Sequence, residues 1–215
     1  LVIIPAYQAA ATLGAVLERI RRVSPSLPVL VVDDGSRDGT DAVARLGGAE
    51  VLVHPENRGK GAALKTGFSR ALDLGVSGVV PLDADGQHPP ELLPRFLEVS
   101  ARADLVLGCR MGDADRMPWL RRQTNRVMSL VISALAHHSL RDSQCGYRWI
   151  SIQVLRRVPL RMSHYDMESE ILVRSARKGF RIAEIPVPAV YADEVSRIRN
   201  GLDTLRFLKL VAALL

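Results

Sequence analysis

Two rhythms of apolar residues alternate along the first half of this chain. Short apolar runs at Leu1–Ile4, Val29–Val32, Val51–Val53, Gly78–Leu82 and Asp104–Gly108 predict buried strands. Between them, apolar positions recur at helical spacing: Leu13, Val16, Leu17 and Ile20; then Leu64, Gly67, Phe68, Ala71 and Leu72; then Leu93, Phe96 and Leu97 after Pro89-Pro90. Asp38-Gly39-Thr40 opens one more helix, and Pro5 is expected to stop the first strand. Strands that are apolar throughout and alternate with helices predict an α/β fold: a Rossmann-like, mostly parallel sheet with helices on both faces.

Beyond residue 110 the pattern changes. A helix carrying Trp119, Leu120, Val127, Leu130, Val131, Ala134 and Leu135 is interleaved with or preceded by Arg116, Arg121, Arg122 and Arg126. It reads equally as a core helix with a solvated edge or as a basic amphipathic helix at a membrane interface. Asp142–Trp149 predicts a polar loop and Met162–Lys178 a helix closed by Gly179. Arg181–Val190 predicts an edge segment, marked by Pro186 and Pro188, and Asp203–Leu215 a last helix. The longest near-apolar run, Val127–Ala136, falls well short of the roughly 20 residues that span a bilayer. The chain starts without Met and stops while still apolar, which predicts a piece of a longer protein with more chain to follow.

The chain has 215 residues, enough for one large domain, and 47% of them are hydrophobic, ordinary for a folded core. A net charge of +6 favours anionic partners: phosphates, lipid surfaces or nucleic acid. The two cysteines, Cys109 and Cys145, lie far apart and outside any Cys-x-x-Cys pattern, which argues against a disulfide framework or a zinc site and suits a reducing compartment.

In a parallel sheet, ligands bind beyond the carboxyl ends of the strands. Those ends carry Tyr7, Asp33, Asp34, Asp83, Asp85 and Arg110. If the strand pitch continues past Leu82, Asp83 and Asp85 point to one side and repel each other unless a cation or a set of donors lies between them; hard Mg²⁺ or Mn²⁺ suits such oxygens. Alternatively either Asp caps the following helix. Two other motifs fail. Gly59–Thr66 resembles a P-loop but has Leu64 where the second glycine belongs. Asp34, Ser36, Asp38 and Gly39 resemble an EF-hand start, but Arg45 stands where the bidentate Glu is required.

The ordered set Ile4-Pro5-Ala6-Tyr7, Val32-Asp33-Asp34-Gly35-Ser36, Asn57-Arg58-Gly59-Lys60-Gly61, Asp83-Ala84-Asp85-Gly86-Gln87-His88, Gly108-Cys109-Arg110, Asp142-Ser143-Gln144-Cys145-Gly146-Tyr147-Arg148, Asp166-Met167-Glu168-Ser169-Glu170, Glu184-Ile185-Pro186-Val187 and Ser196-Arg197-Ile198 resembles the family 2 glycosyltransferases of GT-A fold. Within that family it is most similar to polyprenyl-phosphate mannosyl- and glucosyltransferases. The resemblance spans nearly the whole chain. It implies one catalytic domain over residues 1–215, with a nucleotide-sugar and metal half at 1–110 and an acceptor and membrane-facing half at 111–215. It implies that Pro5, Ala6 and Tyr7 line the nucleotide pocket, that Asp34 approaches base or ribose beside Asp33, and that Lys60 closes the base side. Asp83, Ala84 and Asp85 become the Asp-x-Asp motif, with Gln87 completing the site of Mg²⁺ or Mn²⁺. Arg110, Arg122 and Arg197 match basic positions facing the diphosphate or the acceptor phosphate, with Asp85, Arg110 and Arg197 as catalytic residues.

The first motif departs from the family pattern, since Tyr7 is followed by Gln8-Ala9 where relatives usually have Asn-Glu. That leaves the choice between UDP and GDP open. Glu168 and Glu170 lie about 200° apart on a helix, so only one can face the site. The implied activity is inverting, metal-dependent transfer of a hexose from a nucleotide-diphosphate sugar to a polyprenyl phosphate. The enzyme would be peripheral on the cytoplasmic face of a membrane, with no nucleic-acid partner. Two alternatives compete: transfer to a saccharide hydroxyl, with Asp166, Glu168 or Glu170 as base, and a non-catalytic basic module that docks to membranes or nucleic acid.

Overall fold

Pro5 does not stop the first strand. In the computed structural model, which describes residues 1–161, 166–189 and 211 (backbone only at 114–116), β1 runs over Val2–Ala6. Its odd positions face β4 (Gly78–Pro81): Leu1 and Ile3 accept from the N–H groups of Val80 and Leu82. Its even positions face β2 (Val29–Asp33), where Ala6 accepts from Asp34 N. Pro5 therefore turns its missing donor towards β4, where pairing has ended at Ile3 and Pro81. The proline closes the ladder on one side while the strand continues on the other.

The remaining elements follow in order: α1 (Ala10–Val23), α2 (Thr40–Leu46), β3 (Glu50–Val53), α3 (Lys60–Leu74), a 3-10 turn at Pro90–Leu92 leading into α4 (Leu93–Ser100), and β5 (Leu105–Cys109). A 3-10 segment at Arg110–Arg116 precedes α5 (Trp119–Ala136), β6 (Arg148–Ser151), α6 (Ile152–Arg157), α7 (Asp166–Arg177) and β7 (Ile182–Pro186). The seven strands form one sheet in the order β3-β2-β1-β4-β6-β5-β7. All neighbours are parallel except at β6, which runs antiparallel to both β4 and β5. Alternate strand residues feed two cores. Ile3, Leu30, Val32, Leu105 and Leu107 pack with α3, α5, α6 and α7, whereas Val2, Ile4, Val31, Val80 and Val106 pack with α1, α2 and α4.

Two expectations need correction. The segment read as a polar loop over Asp142–Trp149 runs into β6, which inserts between β4 and β5. It was hidden because the strand is four residues long and opens on the buried Arg148. The inner face of α4 is Leu93, Phe96 and Val99, and Leu97 is exposed. In α5 the polar Asn125 and Ser129 are buried while Trp119, Leu120, Val127 and Leu130 are 61–72% exposed. The inward serines are satisfied by the following loop: Ser129 accepts from Ser143 N and Ser133 from Leu140 N. β7 is the expected edge strand. The helix expected at 203–215 lies outside the described residues apart from Val211.

Helix α3 approaches β1 at Gly67, where an added Cβ would stand 2.5 Å from Ile3 Cγ2. Gly67→Val overpacks this contact and is expected to lower unfolding free energy by about 2 kcal/mol in urea titration.

Candidate active site

The carboxyl ends of β1, β2, β4 and β5 meet on one edge of the sheet, and the loops beyond them are tied to one another. Gln8 N donates to Ser36 Oγ, Ala9 N to Thr40 Oγ1 and Ala10 N to Asp38 Oδ2, so the second loop supplies acceptors that the first turn of α1 lacks. Asp33 accepts from Ser36 N, fixing that turn. Pro5 is half-buried, Ala6 is buried, and Tyr7 projects with 42% exposure.

Asp34 is buried, and its oxygens are engaged by the protein. Oδ1 accepts from Arg58 N and lies 2.6 Å from His54 Nδ1, while Oδ2 accepts from Arg58 N and Gly59 N. Arg58 N is shared between the two oxygens, and His54 is braced in turn by Thr66. The carboxylate thus anchors the loop over residues 54–59 and sets where α3, and with it Lys60, begins.

Strand β4 ends at Pro81, so the strand pitch does not carry Asp83 and Asp85 to a common side; Asp83 lies in irregular chain and Asp85 on the turn that follows. Gly86 takes φ +79° there, and Asp85 Oδ1 accepts from Gln87 N. Neither aspartate caps a helix, because Pro89 precedes the 3-10 turn. Lys60 Nζ lies 2.8 Å from Asp83 Oδ1 and 3.4 Å from Glu168 Oε1, bridging two carboxylates. Burial is the largest influence on Asp83 and disfavours its charge, yet Lys60 and His88 together outweigh it and hold the carboxyl at about 2, below its usual 3.8. His88 Nδ1 accepts from Asp83 N, and the ring stacks on Tyr147 at 4.9 Å. Burial lowers its pKa, so the imidazole is neutral near pH 7.

Of the two glutamates, Glu170 is fully buried and committed to Arg174 Nε and Arg161 N, a structural role. Glu168 belongs to the site. It faces Lys60 on one side and Arg148 Nη2, 3.5 Å away, on the other. Burial raises its pKa, but Lys60 and then Arg148 outweigh that and lower it. Arg148 was assigned no role from sequence. It is fully buried and donates to Glu168 O and Cys145 O, so it locks the start of α7 against the loop before β6.

Arg110 stands at the end of β5 with its guanidinium forked onto the buried Asp142: Nε to Oδ2 at 2.8 Å and Nη2 to Oδ1 at 2.9 Å. Asp142, also unassigned from sequence, fixes where that positive charge sits. Arg122 lies half-buried on the first turn of α5. Arg197 lies outside the described residues.

The donors suit a hard divalent ion. Asp83, Asp85 and Gln87 offer only oxygen ligands, and such ions take one or two carboxylates plus substrate phosphates. Among the described residues no group of three or more His, Cys, Asp or Glu could hold an ion by itself.

Sheet order and site together define an α/β enzyme of GT-A type. The solved structure of glucosyl-3-phosphoglycerate synthase from Mycobacterium tuberculosis, in complex with Mn²⁺ and uridine-diphosphate-glucose, shares this fold. Its TM-score is 0.78 at 21% identity, over 99% of this chain and 77% of that one. The model of glycosyl transferase family 2 matches residues 1–160. The undecaprenyl-phosphate mannosyltransferase of Micrococcus luteus is 37% identical over 201 residues, 88% of this chain and 83% of its own. The polyprenol monophosphomannose synthase of Mycolicibacterium smegmatis is 34% identical over 200 residues, 87% of this chain and 76% of its own. The chain belongs to glycosyl transferase family 2 and is a glycosyltransferase.

The Asp83–Lys60 pair carries a pH signature. A depressed carboxyl pKa contributes stability that is present above about pH 4 and is lost as pH falls towards 2. The stability advantage of the wild type over Asp83→Asn, read by chemical denaturation, is expected to be constant from pH 7 to 5 and to shrink below pH 4.

Proposed function

We propose that this enzyme transfers a hexose, with inversion, from a UDP- or GDP-sugar to a polyprenyl phosphate at the cytoplasmic face of a membrane. The observation that carries the acceptor class is the state of Glu168. A base that deprotonates a sugar hydroxyl needs a pKa tuned upward towards neutrality. Glu168 sits between two cations and is shifted down. Glu170 is consumed by Arg174 and Arg161. A phosphate acceptor is already ionised near neutral pH and needs no such base. The two relatives act, by their names, on polyprenyl-linked substrates, which supports the same reading.

In this reading Pro5, Ala6 and Tyr7 receive the nucleotide, and Lys60 bounds the pocket opposite them. Asp33 and Asp34 shape the nucleotide side through the loops they fix. Asp85 and Gln87, with Asp83, hold Mg²⁺ or Mn²⁺. When bound, the ion neutralises the departing diphosphate and orients it. Arg110, aimed by Asp142, supplies fixed positive charge where negative charge grows, and Arg122 and Arg197 extend that charge towards the acceptor phosphate.

The exposed face of α5 supports membrane docking. Trp119, Leu120, Val127 and Leu130 form an outward apolar stripe beside the exposed Arg126, the composition of an interfacial helix on an anionic lipid surface. No helix among the described residues is long and apolar enough to cross a membrane. Both cysteines are free and buried, in keeping with a reducing compartment.

Two measurements test the proposal. In a thermal-shift panel of UDP- and GDP-sugars with Mn²⁺, the true donor at hundredfold saturation should raise the midpoint by about 5 °C or more. Asp85→Ala should abolish the Mn²⁺-dependent part, and a panel without any responding nucleotide sugar would sink the donor assignment. In vesicle sedimentation with anionic lipid, the double variant Trp119→Ser/Leu130→Ser should bind about tenfold more weakly with unchanged thermal stability. Equal binding would remove α5 from the docking surface.

A further inference from the structure

Lys60 occupies the place where a site for a divalent ion needs its positive charge. Its ammonium touches Asp83 and approaches Glu168, one carboxylate from each half of the chain. Its backbone is immobilised, since Asp34 holds the N–H groups of Arg58 and Gly59 immediately before α3. The freedom left to Lys60 is in its four-carbon stem. Lysine suits a change of partner because its ammonium is a compact point charge on a flexible stem, whereas arginine would lock a fork onto one carboxylate.

We propose that Lys60 is the resident counter-cation of the ion site: it holds Asp83 while the pocket is empty, and gives it up when the donor's diphosphate arrives to receive the ammonium. The proposal rests on the reading of Asp83 and Asp85 as ion ligands. An ammonium and a divalent ion cannot share one carboxylate oxygen without strong repulsion, so the protein alone binds the ion weakly. The diphosphate changes that balance twice, by adding oxygen ligands for the ion and by offering the displaced ammonium a charge-assisted partner. Glu168, kept in place by Arg148, retains an interaction with Lys60 and limits how far the side chain travels. Ion and nucleotide are thereby coupled, each raising the affinity for the other by the same factor.

The test is Mn²⁺ binding to the full chain without nucleotide, followed by electron paramagnetic resonance or calorimetry. Lys60→Gln removes the competing charge and is expected to bind Mn²⁺ about tenfold tighter or more, the scale on which one adjacent charge shifts a carboxylate. UDP or GDP should then enhance Mn²⁺ binding less than in the wild type. Lys60→Arg keeps the charge and should stay as weak as the wild type. If circular dichroism shows Lys60→Gln unfolded, Lys60→Met, which keeps an unbranched apolar stem, replaces it. Unchanged or weaker Mn²⁺ affinity in a folded neutral variant overturns the proposal. Adding Asp85→Ala to Lys60→Gln should erase the gain; a gain that survives places the ion elsewhere, and it is then the ligand assignment that fails.

Discussion

Two ionised carboxylates from distant parts of a chain repel each other in one half-buried site unless a cation lies between them. Asp83 follows β4, Glu168 opens α7, and Lys60 starts the helix that passes beside both. Each partner is held from behind: Lys60 by the loop that Asp34 anchors, Asp83 by its N–H on the stacked His88, and Glu168 by Arg148. Removing the lysine would leave two anions facing each other; removing either carboxylate would leave a partly desolvated charge. The second half of the chain is thus bound to the first by electrostatics at the site as well as by β6 in the sheet.

The first half was legible because its signals are local. Apolar runs gave the parallel strands, three- and four-residue spacing gave α1 and α3, and the sheet rule placed Tyr7, Asp33, Asp34, Asp83 and Arg110 on one edge. What failed was the prediction of which oxygens remain open. Nothing local to Asp34 says that His54 and two backbone donors will surround it, and nothing in Gly108-Cys109-Arg110 announces that Asp142, 32 residues on, will receive the guanidinium. β6 was missed for a related reason: a strand whose first side chain is a buried arginine breaks the apolar pattern, and its partners for that charge lie at Cys145 and Glu168. The choice between Glu168 and Glu170 could be narrowed from helix geometry to one of the two, but only Arg161 and Arg174 say which is structural.

Helix α5 carries apolar residues on two faces. The face towards the protein carries Ile132, Leu135 and Ala136 beside the polar Asn125 and Ser129, while Trp119, Leu120, Val127 and Leu130 point outward. That outward stripe gains nothing in folding, and an apolar partner of the kind proposed above would bury it. The neighbouring arginines narrow that partner to one that is also anionic at its surface. A lipid phosphate acceptor has both properties, and so does the membrane that carries it. On this reading, the same chemistry that recruits the protein also delivers the acceptor's phosphate towards Arg110. Because Asp142 fixes that guanidinium before any ligand arrives, Arg110 in the proposed role would have little left to reorganise.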